Sequence, residues 1–351
     1  MLKSKANRAK AGNWAAGKKL ATGFLLPLLI ATHLAAQCGE KQAAGQPAAR
    51  LNILLSQRLF VVANRNDVAA AMKKWGDVAS CAIHIKVDSK VDVAQSQSEI
   101  RRRLLDKSVD VLVLDSVEFL KLSAAGLVEG VAVVSRSGQP TSFSYVLLTG
   151  DRIDTLAQLR SRSATFFPHT LSAFSVAFMD MLLARNHLGR AESFLGPSNV
   201  TNKPTDCILP LFFGRTDACV VDSYNWELAK EMNPQLGKKL KVFAQSAPLV
   251  DEVTAIPAIP RMPEVQRQQI VDGLLSMHKY PAGNQILAVF KSGPMILYKP
   301  EYLDSTRAFW EEYVRILSPA ERAAWGEYGW NVIPKRFERP SGWQEESGGH
   351  P

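Results

Sequence analysis

Two hydroxyls, Thr170 and Ser172, follow His169 and stand at the head of an apolar run over residues 172–186 (SAFSVAFMDMLLARN). Hydroxyls and backbone N–H groups at the first turn of a helix suit an anion, helped by the helix dipole, and an imidazolium at His169 would add to it. Ser and Thr also cap helices with no ligand present, and the residues leave both roles open. Asp222 and Tyr224 follow the apolar run DACVVD and lead into YNWELAKEM; Ser116 and Glu118 follow VDVLVLD; Asn64 lies in the segment after LNILLS. Asp222 and Glu118 can hold a cationic group or cap the helices that they precede, capping being the simpler role for Glu118. No set of residues points to catalysis, a metal or a cofactor. The six His include no H-E-x-x-H, and G-x-S-x-G, P-loop and G-x-G-x-x-G motifs are absent, so no enzyme activity is expected.

These residues share a position. In an open parallel sheet, ligands bind outside the carboxyl ends of the strands, and each candidate follows a strand-like run. LNILLS, CAIHIKV (81–87) and VDVLVLD read as strands separated by helices over 67–75 and 98–107, the latter with Ser98 as its cap. The order strand–helix–strand–helix–strand predicts an α/β domain with a parallel sheet. The pattern returns with strands over 143–148, SATFF, DACVVD and LKVFAQS. Helices over 155–159 (capped by Asp154), 172–186, 206–213 and 224–232 lie between them. Helical patterns over 264–278, 281–290, 303–316 and 319–327 close the chain.

The chain has 351 residues, 46% hydrophobic and 21% charged, enough for two cores. Residues 1–36 carry six Lys or Arg and no acid, then an apolar run (LATGFLLPLLIATHLAA) ending in small residues. That order predicts a cleaved secretory signal peptide, because the core is short and broken by Pro27. A lipid anchor on Cys38 is less favoured, since Gln37 stands where a lipoprotein signal has a small residue. The formal charge of +9 falls to +3 without the leader, and no basic, aromatic-interleaved patch argues for nucleic acid. Cys207 and Cys219 are the nearest pair among four cysteines; a disulfide and two buried thiols both fit an exported chain.

The stretches VDVLVLDSVEFLKL (109–122), PLFFGRTDACVVDSYNWELAKEMNPQLGKKLKVFAQSAPLV (210–250) and HKYPAGNQILAVF (278–290) resemble the phosphate/phosphite/phosphonate-type (PhnD-like) periplasmic solute-binding proteins of ABC transporters. The resemblance spans about residues 51–317. It implies a type II periplasmic-binding fold: two α/β lobes, a two-strand hinge, and C-terminal helices packed on lobe one. It matches the family's hydroxyl loop to residues 169–173, where only Thr170 and Ser172 keep a hydroxyl and the glycine is absent. It also matches the acidic strand end to Asp222 and a lobe-one contact to residues 116–118. The expected organisation is a leader over 1–36, a lead-in over 37–50, lobe one over 51–145, lobe two over 146–247, a return to lobe one over 248–317, and an extension over 318–351. The expected function is capture of a small anionic or zwitterionic solute for an inner-membrane permease, by a periplasmic monomer. A ligand-sensing subunit for a membrane signalling protein, or an enzyme on the same fold, are the alternatives. Mass spectrometry of the exported protein should show a mature chain starting near Gln37; a diacylated Cys38 or a retained leader would contradict this.

Overall fold

The computed structural model describes residues 49–59, 87–168, 174–289 and 292–322. Its first strand, β1 (Ala49–Ser56), buries Leu54 on one side and Leu51, Ile53 and Leu55 on the other, as a strand covered on both faces must. A single 3-10 turn, Gln57–Leu59, follows. β2 (Val87–Ala94) pairs with β1 in parallel from Ala49 opposite Val87 to Ser56 opposite Ala94. The strand expected over 81–87 thus meets the described residues only at its last position, and the pairing strand is the stretch after it. Its composition, VDSKVDVA, conceals it: at the sheet edge Ser89 and Val93 turn inward while Asp88 and Lys90 face water. The helix expected over 67–75 lies outside the described residues.

α1 (Gln97–Leu105) is capped by Ser96, not Ser98. Ser96 Oγ accepts from Glu99 N at 3.1 Å, and Glu99 reaches back to accept from Gln95 N. Only Ser96 has an acid three residues on, the spacing that such reciprocal capping needs. β3 (Val111–Asp115) is buried throughout and runs directly into α2 (Ser116–Ala124). β4 (Val128–Arg136) then pairs with β5 (Gln139–Pro140). The apolar run of β4 is interrupted by Gly130, which hides the strand in the sequence. That glycine makes room for a ring: a Cβ there would lie 2.6 Å from Tyr298 Cδ1, and Tyr298 packs edge-on against Phe119.

The chain leaves this sheet through β6 (Ser142–Phe143) and builds a second one. Its elements are β7 (Tyr145–Gly150), β8 (Ala164–Phe166), α3 (Phe174–Arg185), α4 (Ala191–Phe194), β9 (Ser198–Val200), α5 (Pro204–Phe212), β10 (Ala218–Asp222), α6 (Ser223–Met232), α7 (Gln235–Lys239) and β11 (Leu240–Gln245). The strand order is β11-β7-β10-β8-β9. The short helix at 156–159 is not capped by Asp154. Gln158 Oε1 accepts from the amides of Asp154 and Thr155, and the Asp154 carboxylate pairs with Lys241 at 2.9 Å.

β12 (Leu249–Val250) crosses back, and β13 (Glu252–Pro257) enters the first sheet antiparallel between β3 and β4. α8 (Glu264–Ser276), α9 (Pro281–Val289), β14 (Met295–Leu297) and α10 (Asp304–Ile316) complete the described chain. The first sheet reads β14-β4-β13-β3-β1-β2, with β5 on β4. Both sheets are therefore mixed where the sequence suggested parallel ones. The cause is topological: strands that have just crossed between sheets, β7 and β13, run opposite to the strands that lead toward the crossing. α8, α9 and the turn between them pack on the first sheet through Val271, Leu274, Met277 and Leu287.

Cys207 of α5 and Cys219 of β10 form a disulfide with Cα atoms 5.5 Å apart, both residues fully buried. The bridge fixes α5 onto its sheet and closes a loop of 12 residues. Replacing both by alanine should lower stability by about 3 kcal/mol, read as a lower urea midpoint. No change would mean that packing alone holds α5.

Candidate functional site

Two crossing strands define where a ligand could sit. β6 and β12 pair only with each other, Leu249 opposite Phe143 and Val250 opposite Ser142. The residue two past β12, Glu252, lies opposite Asp115 at the carboxyl end of β3. The residue two past β6, Tyr145, lies opposite Asp222 at the carboxyl end of β10. Helices start at both points and are tied to the crossing segments: Ser116 N donates to Asp251 O at 3.2 Å, and Ser223 N to Ser144 O at 2.7 Å. A strand end from each sheet thus abuts the hinge. β8, parallel to β10, ends on the same side before residues 169–173.

On the first sheet, Asp115 caps α2, accepting from Val117 N at 3.0 Å and Glu118 N at 3.3 Å. Glu118 is therefore not the cap, the simpler role read for it. It lies 1% exposed in that first turn, its Oε1 3.8 Å from Arg58 Nε, and Arg58 is buried as well. Desolvation is the largest influence on both charges. Glu118 is pushed up to about 7, with Arg58 and the Ser56 hydroxyl only partly opposing. Arg58 is brought down to about 10 by the same desolvation, against the pull of Glu118 and Asp115. Lys121, one turn on and half-buried, falls to about 8 through desolvation and repulsion by Arg58. Across the pairing, the crowded carboxyl of Glu252 also rises to about 7 from desolvation and the nearby Asp251, although the residue as a whole is only half-buried.

On the second sheet, Asp222 is fully buried and caps α6: Oδ1 accepts from Asn225 N at 2.9 Å and Oδ2 from Asn225 Nδ2 at 2.7 Å. Tyr224 is 46% exposed, its ring 5.7 Å from the guanidinium of Arg136 at the end of β4. That contact joins the two sheets beside the hinge. Of the other expected site residues, Asn64, His169, Thr170 and Ser172 lie outside the described residues. The amides of α2 are taken up by Asp251 and Asp115, and that of Asn225 by Asp222.

Type and spacing do not single out Lys121 and Glu252, and Arg58 is marked only as the start of the strand-end segment 58–66. Glu118 and Arg58 are 60 positions apart, and a charge inside the apolar run SVEFLKL was the one local sign of a buried ionic site. A cavity of about 820 Å³ lined by Arg50, Lys90, Lys107 and Arg261 lies at the opposite, amino-terminal ends of β1 and β2. By the strand-end rule it is not the ligand cleft.

The family model for the periplasmic substrate-binding protein of phosphonate ABC transporters matches residues 60–300. No curated protein sequence matches the chain. Among solved structures it is similar to XAC2383 from Xanthomonas citri bound to ATP, with 14% identity and a TM-score of 0.55 over 77% of this chain and 97% of that one. A binding protein component of an ABC phosphonate transporter from Pseudomonas aeruginosa gives 13% identity and a TM-score of 0.53 over 79% and 93%. PhnD1 from Prochlorococcus marinus in complex with methylphosphonate gives 13% and 0.52 over 75% and 97%. These likenesses show the fold, a type II periplasmic-binding architecture of two α/β lobes joined by two strands.

The raised carboxyls give a pH signature. A carboxyl with a higher pKa folded than unfolded binds extra protons in the folded state, so stability falls as pH rises. For Glu118 and Glu252 that window runs from about 4.5 to about 7. Glu118→Gln should lessen the slope, measured by urea denaturation at pH 5 and pH 8. An unchanged slope would mean that Glu118 is not desolvated.

Proposed function

The chain belongs to the periplasmic substrate-binding proteins of phosphonate ABC transporters, and from that premise we propose that it captures a small anionic or zwitterionic, phosphonate- or phosphate-like solute between its lobes. It then presents the closed form to an inner-membrane permease. The observation that carries the reading is the meeting of strand ends at the hinge: β3 and β10 each end against a crossing segment. Ser116, Glu118, Asp222 and Tyr224 belong to those ends, and Asn64, His169, Thr170 and Ser172 to the loops expected to complete the cleft.

Among the described residues, the backbone amides named at the two strand ends are already engaged. Asp115 and Asp251 take up the amides at the start of α2, and Asp222 takes up that of Asn225. The segment before α3 is left as the anion subsite, with the Thr170 and Ser172 hydroxyls and the helix dipole. Glu118 and Asp222 would face a cationic end of a zwitterion. Methylphosphonate and ATP, the ligands named for two of the similar structures, share phosphorus–oxygen anions. Ligand touching both lobes favours the closed form by its differential affinity. The protein works as a monomer without a catalytic step, released from its leader.

Titration calorimetry with phosphate, methylphosphonate and ATP tests this reading. A hydrogen bond to a charged ligand contributes about 1.5–3 kcal/mol, so Thr170→Ala and Ser172→Ala should each weaken binding roughly ten- to a hundredfold with the fold intact. Unchanged affinity in both would leave those hydroxyls as caps only. Failure of all three anions to bind would sink the anionic reading.

A further inference from the structure

The helix α10 changes neighbours along its length. Leu303, just before it, is fully buried in the lobe-one core with Leu114, Phe119 and Val253. Thr306 is 1% exposed, and its Oγ1 accepts at 3.1 Å from the backbone N–H of Val250 in the hinge strand β12. Phe309, Tyr313 and Leu317 belong to the lobe-two core with Phe174 and Phe178. Steps of three and four residues put these side chains on one face. Read from its start, that face meets lobe one, then the hinge, then lobe two.

The contacts at the two ends differ in kind. Toward lobe two they are directional. Arg185 of α3 grips Glu312 with two parallel hydrogen bonds, Nε to Oε1 and Nη2 to Oε2, each 2.6 Å. The Tyr313 hydroxyl donates at 3.5 Å to Asp180 of α3, a buried carboxylate that also accepts from Arg190 Nη2 at 2.8 Å and Ala191 N at 2.7 Å. Arg190 in turn pairs with Glu321, beyond the end of α10. Phe309 stands edge-on to Phe174 with centroids 5.6 Å apart. Toward α2 of lobe one, the contacts include Lys121 Nζ over the Trp310 ring at 4.8 Å, beside Val117 in the same apolar cluster. A guanidinium–carboxylate fork fixes both partners in a plane, whereas a cation over a ring face and apolar packing allow small slips.

We infer that α10 is a third connection between the lobes and travels with lobe two, so that closure slides Trp310 along α2 while Thr306 stays on the hinge strand. This is a shear contact added to a hinge. It rests on the proposed closure, and it gives α10 a positioning role: the helix packs on both α2 and α3, which begin at the two halves of the candidate site.

The test needs no ligand. Spin labels on unnatural ketone side chains at pairs 102/238, 102/311 and 238/311 report lobe to lobe, lobe one to α10, and lobe two to α10; all three positions are exposed. In the ligand-free full-length protein, the 238/311 distance distribution should be narrow and the 102/311 distribution as broad as 102/238. Glu312→Ala should broaden 238/311 selectively, with a second variant, Thr306→Val, leaving it narrow. Any other ranking of the three widths overturns the inference, including three equally narrow ones. Adding methylphosphonate should shift 102/238 and 102/311 together. If methylphosphonate shifts none of the pairs while the widths keep the expected ranking, the ligand assignment fails and the role of α10 stands.

Discussion

Two residues on each crossing strand carry the geometry of the whole molecule. Ser142–Phe143 and Leu249–Val250 pair with each other and with neither large sheet. Each strand then continues into a sheet beside the strand that ends at the candidate site, β7 beside β10 and β13 beside β3. Backbone pairing thus brings Asp115 and Asp222 to the hinge whatever their side chains do. It also puts the candidate site beside the crossing strands, where small dihedral changes over few residues can turn one lobe against the other.

The buried charges near that hinge work against stability. Arg58 and Glu118 attract across 3.8 Å, yet both shift toward neutrality because desolvation outweighs the attraction. Glu252 and Lys121 carry the same mark. Four ionisable groups displaced in one neighbourhood, beside a strand end and a hinge, fit the pattern of a binding site better than that of a structural ion pair. The Asp180–Arg190 pair contrasts in its bonding alone, since desolvation raises the Asp180 carboxyl too. There a buried carboxylate has two close guanidinium bonds and a backbone amide, and it serves to hold α3 to α4 and α10.

Strands buried on both faces and helices with a clear cap were legible without coordinates. VDVLVLD and DACVVD form β3 and β10, and Asp222 caps α6 as its place before YNWELAKEM suggested. Those elements declare themselves by composition, since a two-sided strand must be apolar at every position. What escaped were elements whose residues serve a neighbour: the charged edge strand β2, β4 with its glycine under Tyr298, and β13, which ends in Pro257.

The amino-acid sequence by itself determined the α/β class, because hydrophobic periodicity and turn residues act over a few positions, and the family, through the resemblance carried by residues 109–122, 210–250 and 278–290. Only the tertiary structure decided that Asp115 rather than Glu118 caps α2, that Glu118 faces Arg58, that Cys207 meets Cys219, and that α10 reaches into lobe two. The physical reason is range. Caps compete among residues one to three positions apart, where geometry picks the winner, whereas ion pairs, bridges and helix packing join residues that only the crossing of the chain through its hinge brings together.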